Sequence, residues 1–167
     1  SSLLKLQSRT VQDPTTLQVL QESQNRLRSM ALIHERLYQS DNLAQIDFAD
    51  YLQSLTRYLV RSYRSASGSV ALGFRMEPIS LSIERAVPCG LIVNELVSNA
   101  LKYAFPDGRP GKVEVGLYRA NGNVRLIVSD NGIGLPEGLD ISELDSLGLQ
   151  LVHMLAGQLG GEVQIDT

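Results

Sequence analysis

Tryptophan is absent from the 167-residue chain, cysteine occurs once, and aromatics of all kinds reach only 5%. A single thiol, Cys89, rules out a disulfide framework or a thiolate zinc site within one chain and fits a reducing compartment. So few aromatics give no platform for base stacking. A net charge of −3 gives no basic field to hold a nucleic-acid backbone, so nucleic acid is not an expected partner. Long apolar runs are missing too. The stretch near the middle, Ala86 to Val93, is eight residues and contains Pro88 and Gly90, against the roughly 20 needed to span a bilayer. No basic-then-apolar leader and no initiator Met open the chain, which begins within a helix-compatible cluster. It reads as a piece cut from a longer protein, with no membrane contact of its own. What remains is an ordinary globular mixture, 43% hydrophobic and 20% charged.

The pattern along the chain is helical first and mixed afterwards. Leu3, Leu4 and Leu6 form a helix-compatible cluster that Asp13-Pro14-Thr15-Thr16 breaks, because the residue before a proline is pushed out of the helical region. A second helical run extends to about Gln39. Leu17, Leu20, Gln24, Leu27, Ala31, His34 and Tyr38 recur in it at steps of three and four, a heptad-like seam. Two helices joined by a tight turn make a hairpin, and its exposed stripe predicts a partner copy and a four-helix bundle by dimerisation. From Ile46 a new helix places Phe48, Leu52, Leu55, Leu59 and Tyr63 on one face and ends in the loop from Arg64 to Ser69. Val70, Leu72 and Phe74 alternate as a strand. A long helix is expected from Ile83 to Ala104, with Pro88 in its first turns. Val113, Val115 and Leu117 alternate, as do Val124, Leu126 and Val128, and Asn121-Gly122 between them predicts a type I′ hairpin. A last helix from about Gly148 stops at Gly160-Gly161, and Glu162 to Asp166 begins a further strand.

Three clusters can carry chemistry. In the segment Asn94–Phe105, Glu95, Asn99 and Lys102 stand at i, i+4 and i+7 and share a helix face. Asp130, Gly132 and Gly134 follow the end of a strand, and Gly148 lies at the mouth of a helix. Each alone has a plain structural reading: a solvated helix face, a turn, a helix cap. Together they are the parts of an ATP site: a Mg²⁺ ligand, charge compensation for phosphates, a base-edge acceptor and an anion-binding helix start. No G-x-x-x-x-G-K-[ST] loop is present, and no protein-kinase glycine loop with its lysine and catalytic aspartate.

In this order the segments resemble the N box (NELVSNALKYAF), G1 box (DNGIG) and G2 box (SLGLQLV) of sensor histidine kinases. The ATP-binding domain of those kinases is shared with gyrase, heat-shock chaperone and mismatch-repair ATPases. SLLKLQSR, MALIHERLY and FADYLQSL resemble the HWE-like branch, which has a variant phosphoacceptor box. The resemblance implies an α+β chain. Residues 1–42 would form part of a dimerising helical hairpin without its acceptor-histidine segment, and residues 43–167 an α/β two-layer ATP-binding sandwich with a mixed sheet.

The resemblance also implies roles. Asn99 would ligate Mg²⁺ and Glu95 would polarise the attacking group, with Lys102 near the phosphates and Tyr103 beside the nucleoside. Asp130 would accept the adenine amine, Gly132 and Gly134 would let the backbone approach the nucleotide, and Gly148 would open the helix facing the phosphates. A response-regulator receiver domain, a second copy of the chain and a cytoplasmic location follow from the same likeness. The chain departs from the pattern in having one glycine in its G2 segment, no recognisable F box, a short lid from Leu135 to Leu144, and a final strand expected only beyond Thr167. A scaffold or sensor of the same superfamily that holds nucleotide without turnover is the alternative, and Glu95 argues for catalysis. A serine-directed anti-sigma kinase fits the long hairpin poorly.

Of the two histidines, His34-Glu35 looks like a phosphoacceptor, but no proline follows at the usual place and His34 sits in the heptad seam of the second helix. In the family the acceptor precedes that helix. His153 has no second metal ligand at suitable spacing, and Cys89 reads as a small core residue. Incubating the chain with γ-labelled ATP is therefore expected to leave His34 without acid-labile label; robust labelling there would overturn this expectation.

Overall fold

The computed structural model describes residues 13–39, 45–63, 69–134 and 147–166. The first helix of the expected hairpin and the segment from Leu135 to Leu144 lie outside the described residues. Helix α1, Pro14–Gln39, starts where the sequence suggests a break. Pro14 occupies its first position, where the missing N–H costs nothing. The Asp13 carboxylate caps the turn by accepting the Thr16 N–H at 2.8 Å. Strand β1, Ile46–Asp47, leads into helix α2, Phe48–Tyr63, which Asp47 caps by accepting the Asp50 N–H at 3.0 Å. Phe48, Leu52, Leu55, Leu59 and Tyr63 are all buried, as their spacing predicts.

Strands β2, Val70–Met76, and β3, Ser80–Leu81, precede helix α3, Ile83–Asn99. β4, Gly111–Ala120, and β5, Asn123–Asp130, form the hairpin. At its turn Asn121 and Gly122 both take positive φ, 51° and 79°, as a type I′ turn requires. β2 runs parallel to β4, and β4 antiparallel to β5, so the sheet is mixed; β1 and β3 make a separate two-residue ladder. Val113, Val115 and Leu117 bury one face of β4 against α2 and α3, in a core with Tyr51, Leu55, Val93 and Val97. On the same strand Lys112 and Glu114 form an ion pair of 2.9 Å instead. Helix α4, Leu147–Gln158, packs Val152 and Leu155 on Leu91 and Ile92 of α3. Gly161 then donates to the Ala156 carbonyl at 2.9 Å and closes the helix end. The chain is thus α+β with its helices on one face of a mixed sheet.

Two expectations need correction. The helix expected to reach Ala104 is α-helical only to Asn99 and continues as a π turn over Ala100–Ala104, a widening that hydrophobic periodicity does not register. Residues 162–166 form no strand. Alternation predicts a face but supplies no ladder partner, and Val163 packs on the α3–α4 cluster instead. On α1 the apolar stripe that the sequence assigns to a partner copy does not face the core of this chain. Leu27 is 48% exposed and Ala31 is exposed, whereas Asn25 and Ser29 are buried.

Gly90 of α3 lies against the buried ring of Tyr51, so that a Cβ there would stand 2.3 Å from its hydroxyl oxygen. That hydroxyl donates to the Ser29 carbonyl of α1 at 3.2 Å. Gly90→Ala gains about 1 kcal/mol of helix propensity, but the forced repacking costs about 1–3 kcal/mol and also strains the link to α1. Urea denaturation is expected to show net destabilisation; a stabilised variant would contradict this packing.

Candidate functional site

The last turns of α3 are unusually polar for a buried helix. Asn94, Glu95 and Ser98 are 2%, 5% and 5% exposed. Val93 and Val97 on the neighbouring face are fully buried in the core, which fixes how the polar residues are presented. Glu95 is fully engaged. Arg26 of α1 donates to it bidentately, Nε to Oε1 at 2.7 Å and Nη2 to Oε2 at 2.9 Å, and Asn94 Nδ2 adds a third bond at 3.2 Å. The paired carboxylate holds the Arg26 guanidinium above its ordinary range. One turn earlier on α1, Glu22 accepts from Lys102 Nζ at 2.5 Å, and Lys102 also lies 6.0 Å over the ring of Tyr63.

The other segments come to this same helix end. A Cβ on Gly148, at the start of α4, would stand 2.9 Å from Glu95 Oε2 and 3.9 Å from Asn99 Nδ2. Asn99 is half-buried, and its side-chain amide makes no hydrogen bond to another described residue. From the hairpin side, Ile133 N–H donates to the Ala104 carbonyl at 3.0 Å. A Cβ on Gly132 would lie 2.4 Å from both that oxygen and the Ala104 Cβ. Asp130 Oδ1 accepts the Gly132 N–H at 2.9 Å, and Asn131 Oδ1 accepts the Lys112 N–H at 2.7 Å, tying the turn to β4. The Asp130–Gly134 turn is thus stitched to the π turn that carries Lys102 and Tyr103.

The structure brings Glu95, Asn99 and Gly148 together, holds Lys102 to α1 beside Tyr63, and docks Gly132 and Ile133 at Ala104, with Asp130 bonded to Gly132. Tyr103, 62% exposed, and Asp130, also exposed, make no hydrogen bond to Glu95 or Asn99. Gly134 takes a φ of 71° in open space. Sequence reasoning missed Glu22, Arg26 and Asn94. The first two form an opposite-charge i, i+4 pair on α1, the one signal that could have marked them. Among the described residues no three His, Cys, Asp or Glu side chains cluster to hold a metal. Mg²⁺ needs no such cage, since one side chain with waters and phosphates suffices, and the uncommitted Asn99 amide beside the side-chain-free Gly148 fits that requirement. His153 is exposed, and Cys89 packs against the core, where burial pushes its thiol up to about 11.

Two family profiles match the chain: "Histidine kinase" over residues 1–63, and "Histidine kinase-, DNA gyrase B-, and HSP90-like ATPase" over residues 85–167. The chain belongs to the histidine kinases. It is 29% identical to the sensor histidine kinase PdtaS of Mycobacterium tuberculosis over 98% of its own length and 32% of the relative's. It is 30% identical to blue-light-activated histidine kinase 2 of Erythrobacter litoralis over 77% of its length and 39% of the relative's. It therefore spans about a third of these curated relatives. The histidine kinase domain of the Erythrobacter litoralis EL346 blue-light activated kinase superposes with a TM-score of 0.77 at 23% identity, covering 99% of this chain and 76% of that one, which shows a shared fold.

The glycines of this candidate site separate two physical demands. Gly132→Ala must displace the Ala104 backbone and is expected to cost about 1–3 kcal/mol. Gly134→Ala meets no atom and pays only for its positive φ, about 1 kcal/mol. Urea denaturation of both variants checks the order; equal losses would show that the Gly132–Ala104 approach is looser than described.

Proposed function

We propose that the chain is the ATP-binding kinase region of a two-component sensor histidine kinase. In the full protein the ATP γ-phosphoryl passes to a histidine and then to an aspartate on a response-regulator receiver domain. The observation that carries this function is the convergence of the three motif segments on one helix end, with Gly148 against Glu95 and Asn99, and Gly132 and Ile133 against Ala104.

The roles follow from the chemistry of the side chains. Asn99, whose amide has no hydrogen-bond partner among the described residues, offers its oxygen to Mg²⁺, which when bound would neutralise phosphate charge and orient the transfer. Lys102 supplies a cation for the phosphates, and Glu95 a carboxylate to polarise the attacking histidine. Gly132 and Gly148 keep their faces clear of side chains, so nucleotide and backbone can approach closely, while Gly134 supplies a left-handed turn and Tyr103 an exposed ring for the nucleoside. Asp130 spends one oxygen on the Gly132 N–H and keeps the other to accept the adenine amine, a contact that discriminates strongly among bases.

The division of labour falls near residue 42. α2 onward packs into the ATP-binding layer, and α1 belongs to the dimerising helices, where outward-facing Val19, Leu27 and Met30 are suited to a second copy. No described helix is long and apolar enough to cross a membrane, and a cytoplasmic placement suits the kinase chemistry. One observation favours the second reading, a nucleotide holder without turnover: Glu95 is held by Arg26 in the described state.

Titration with a fluorescent ATP analogue and Mg²⁺ tests the binding role. Asp130→Asn keeps the bond from Gly132 but offers the adenine amine a donor, and affinity is expected to fall roughly 10- to 100-fold, the worth of one hydrogen bond to a charged group. Equal binding by both proteins would end the adenine assignment. Single-turnover transfer to a supplied acceptor helix separates kinase from holder, since only a kinase loses transfer on Glu95→Gln while retaining nucleotide.

A further inference from the structure

The face that α1 turns toward the site is built from charges rather than hydrocarbon, and those charges meet the two ionisable groups that phosphoryl transfer needs. Lys102 carries Glu22 at 2.5 Å, with the two side chains only 13% and 25% exposed. A carboxylate thus occupies the cation assigned to phosphates. Arg26 grips Glu95, whose side chain is 7% exposed, through two parallel bonds. A carboxylate with both oxygens engaged in this way is not available to an attacking group. Glu22 and Arg26 are one helical turn apart, so a single displacement of α1 undoes both pairs. The rest of this seam is separable as well. Asn25 Nδ2 donates to the Tyr63 hydroxyl at 3.0 Å and the Tyr51 hydroxyl to the Ser29 carbonyl at 3.2 Å. Of the large apolar side chains of α1, Val19, Leu27 and Met30 point away, while Leu32 packs on the core further along the helix. Parting α1 from the site exposes mostly groups that water satisfies, the composition of a transient interface.

We propose that α1 is a gate on the nucleotide site: Glu22 and Arg26 occupy Lys102 and Glu95 when α1 is docked, so that docked α1 and bound Mg-nucleotide compete. The gate rests on the nucleotide assignment made above. It makes Glu22 a stand-in for phosphate. Entry of a nucleotide exchanges the Glu22 carboxylate for phosphate oxygens at the same ammonium and releases the helix; transfer then requires Glu95 to leave Arg26.

A fluorescent ATP analogue titrated with Mg²⁺ into the wild-type chain, Glu22→Gln and Arg26→Gln reads the competition. Both variants are expected to bind about fivefold tighter, the factor by which an ion pair of this exposure depletes the open state. Glu35→Gln, the same charge change at an exposed place on the same helix, leaves affinity unchanged. Hydrogen exchange separates gating from a simple charge effect, because saturating nucleotide raises exchange across residues 16–32 of the wild type. Unchanged or weaker binding by Glu22→Gln, or α1 exchange indifferent to nucleotide, overturns the gate while leaving the nucleotide assignment intact. Absence of binding by every protein would strike the assignment itself, and the gate with it.

Discussion

A helix that must be apolar on one side and chemically equipped on the other has little freedom in how it ends, and α3 shows the constraint. Val93, Val97 and Leu101 lock it into the core, so Glu95 and Asn99 can point only where the packing lets them. The π turn that follows rotates Lys102 and Tyr103 relative to a regular helix, and its Ala104 carbonyl becomes the docking point of the hairpin's far end. Beyond the shared core, the helix end and the hairpin's far end therefore meet at one backbone oxygen and one position free of any side chain. Widened turns of this kind recur at functional sites, and here the widening sets the spacing between the residues proposed for metal, phosphate and base.

Local chemistry was readable wherever a residue's neighbours in sequence decide its conformation. Asn121-Gly122 between alternating valines forces a hairpin, and the spacing of Phe48, Leu52, Leu55 and Leu59 forces a buried stripe. Both depend on covalent geometry and on burial at a fixed period. The glycine-rich segments were legible for a related reason, since a missing side chain marks a place where something else comes close. What comes close was not written there. That Gly132 meets Ala104, or Gly148 meets Glu95, is a tertiary fact.

The failures share one cause. The pairs Arg26–Glu95 and Glu22–Lys102 join residues 69 and 80 positions apart, and no periodicity reports a contact at that range. The heptad seam on α1 was a correct observation of apolar spacing, but it did not report the inner side, which polar side chains such as Asn25 and Ser29 hold through specific bonds. Residues 162–166 alternate like a strand and still find no ladder partner among the described residues; a strand is a property of two segments, and sequence pattern describes one.

Helix α1 thus answers to different physics on its two sides. Its ion pairs with Glu95 and Lys102 are Coulombic and weaken as dissolved ions accumulate, while any contact made by its outward hydrocarbon is driven by water and weakens on cooling. Brine and cold therefore act on opposite flanks of the same rod, the first on its pairs with Lys102 and Glu95, the second on the exposed side chains proposed to meet a second copy.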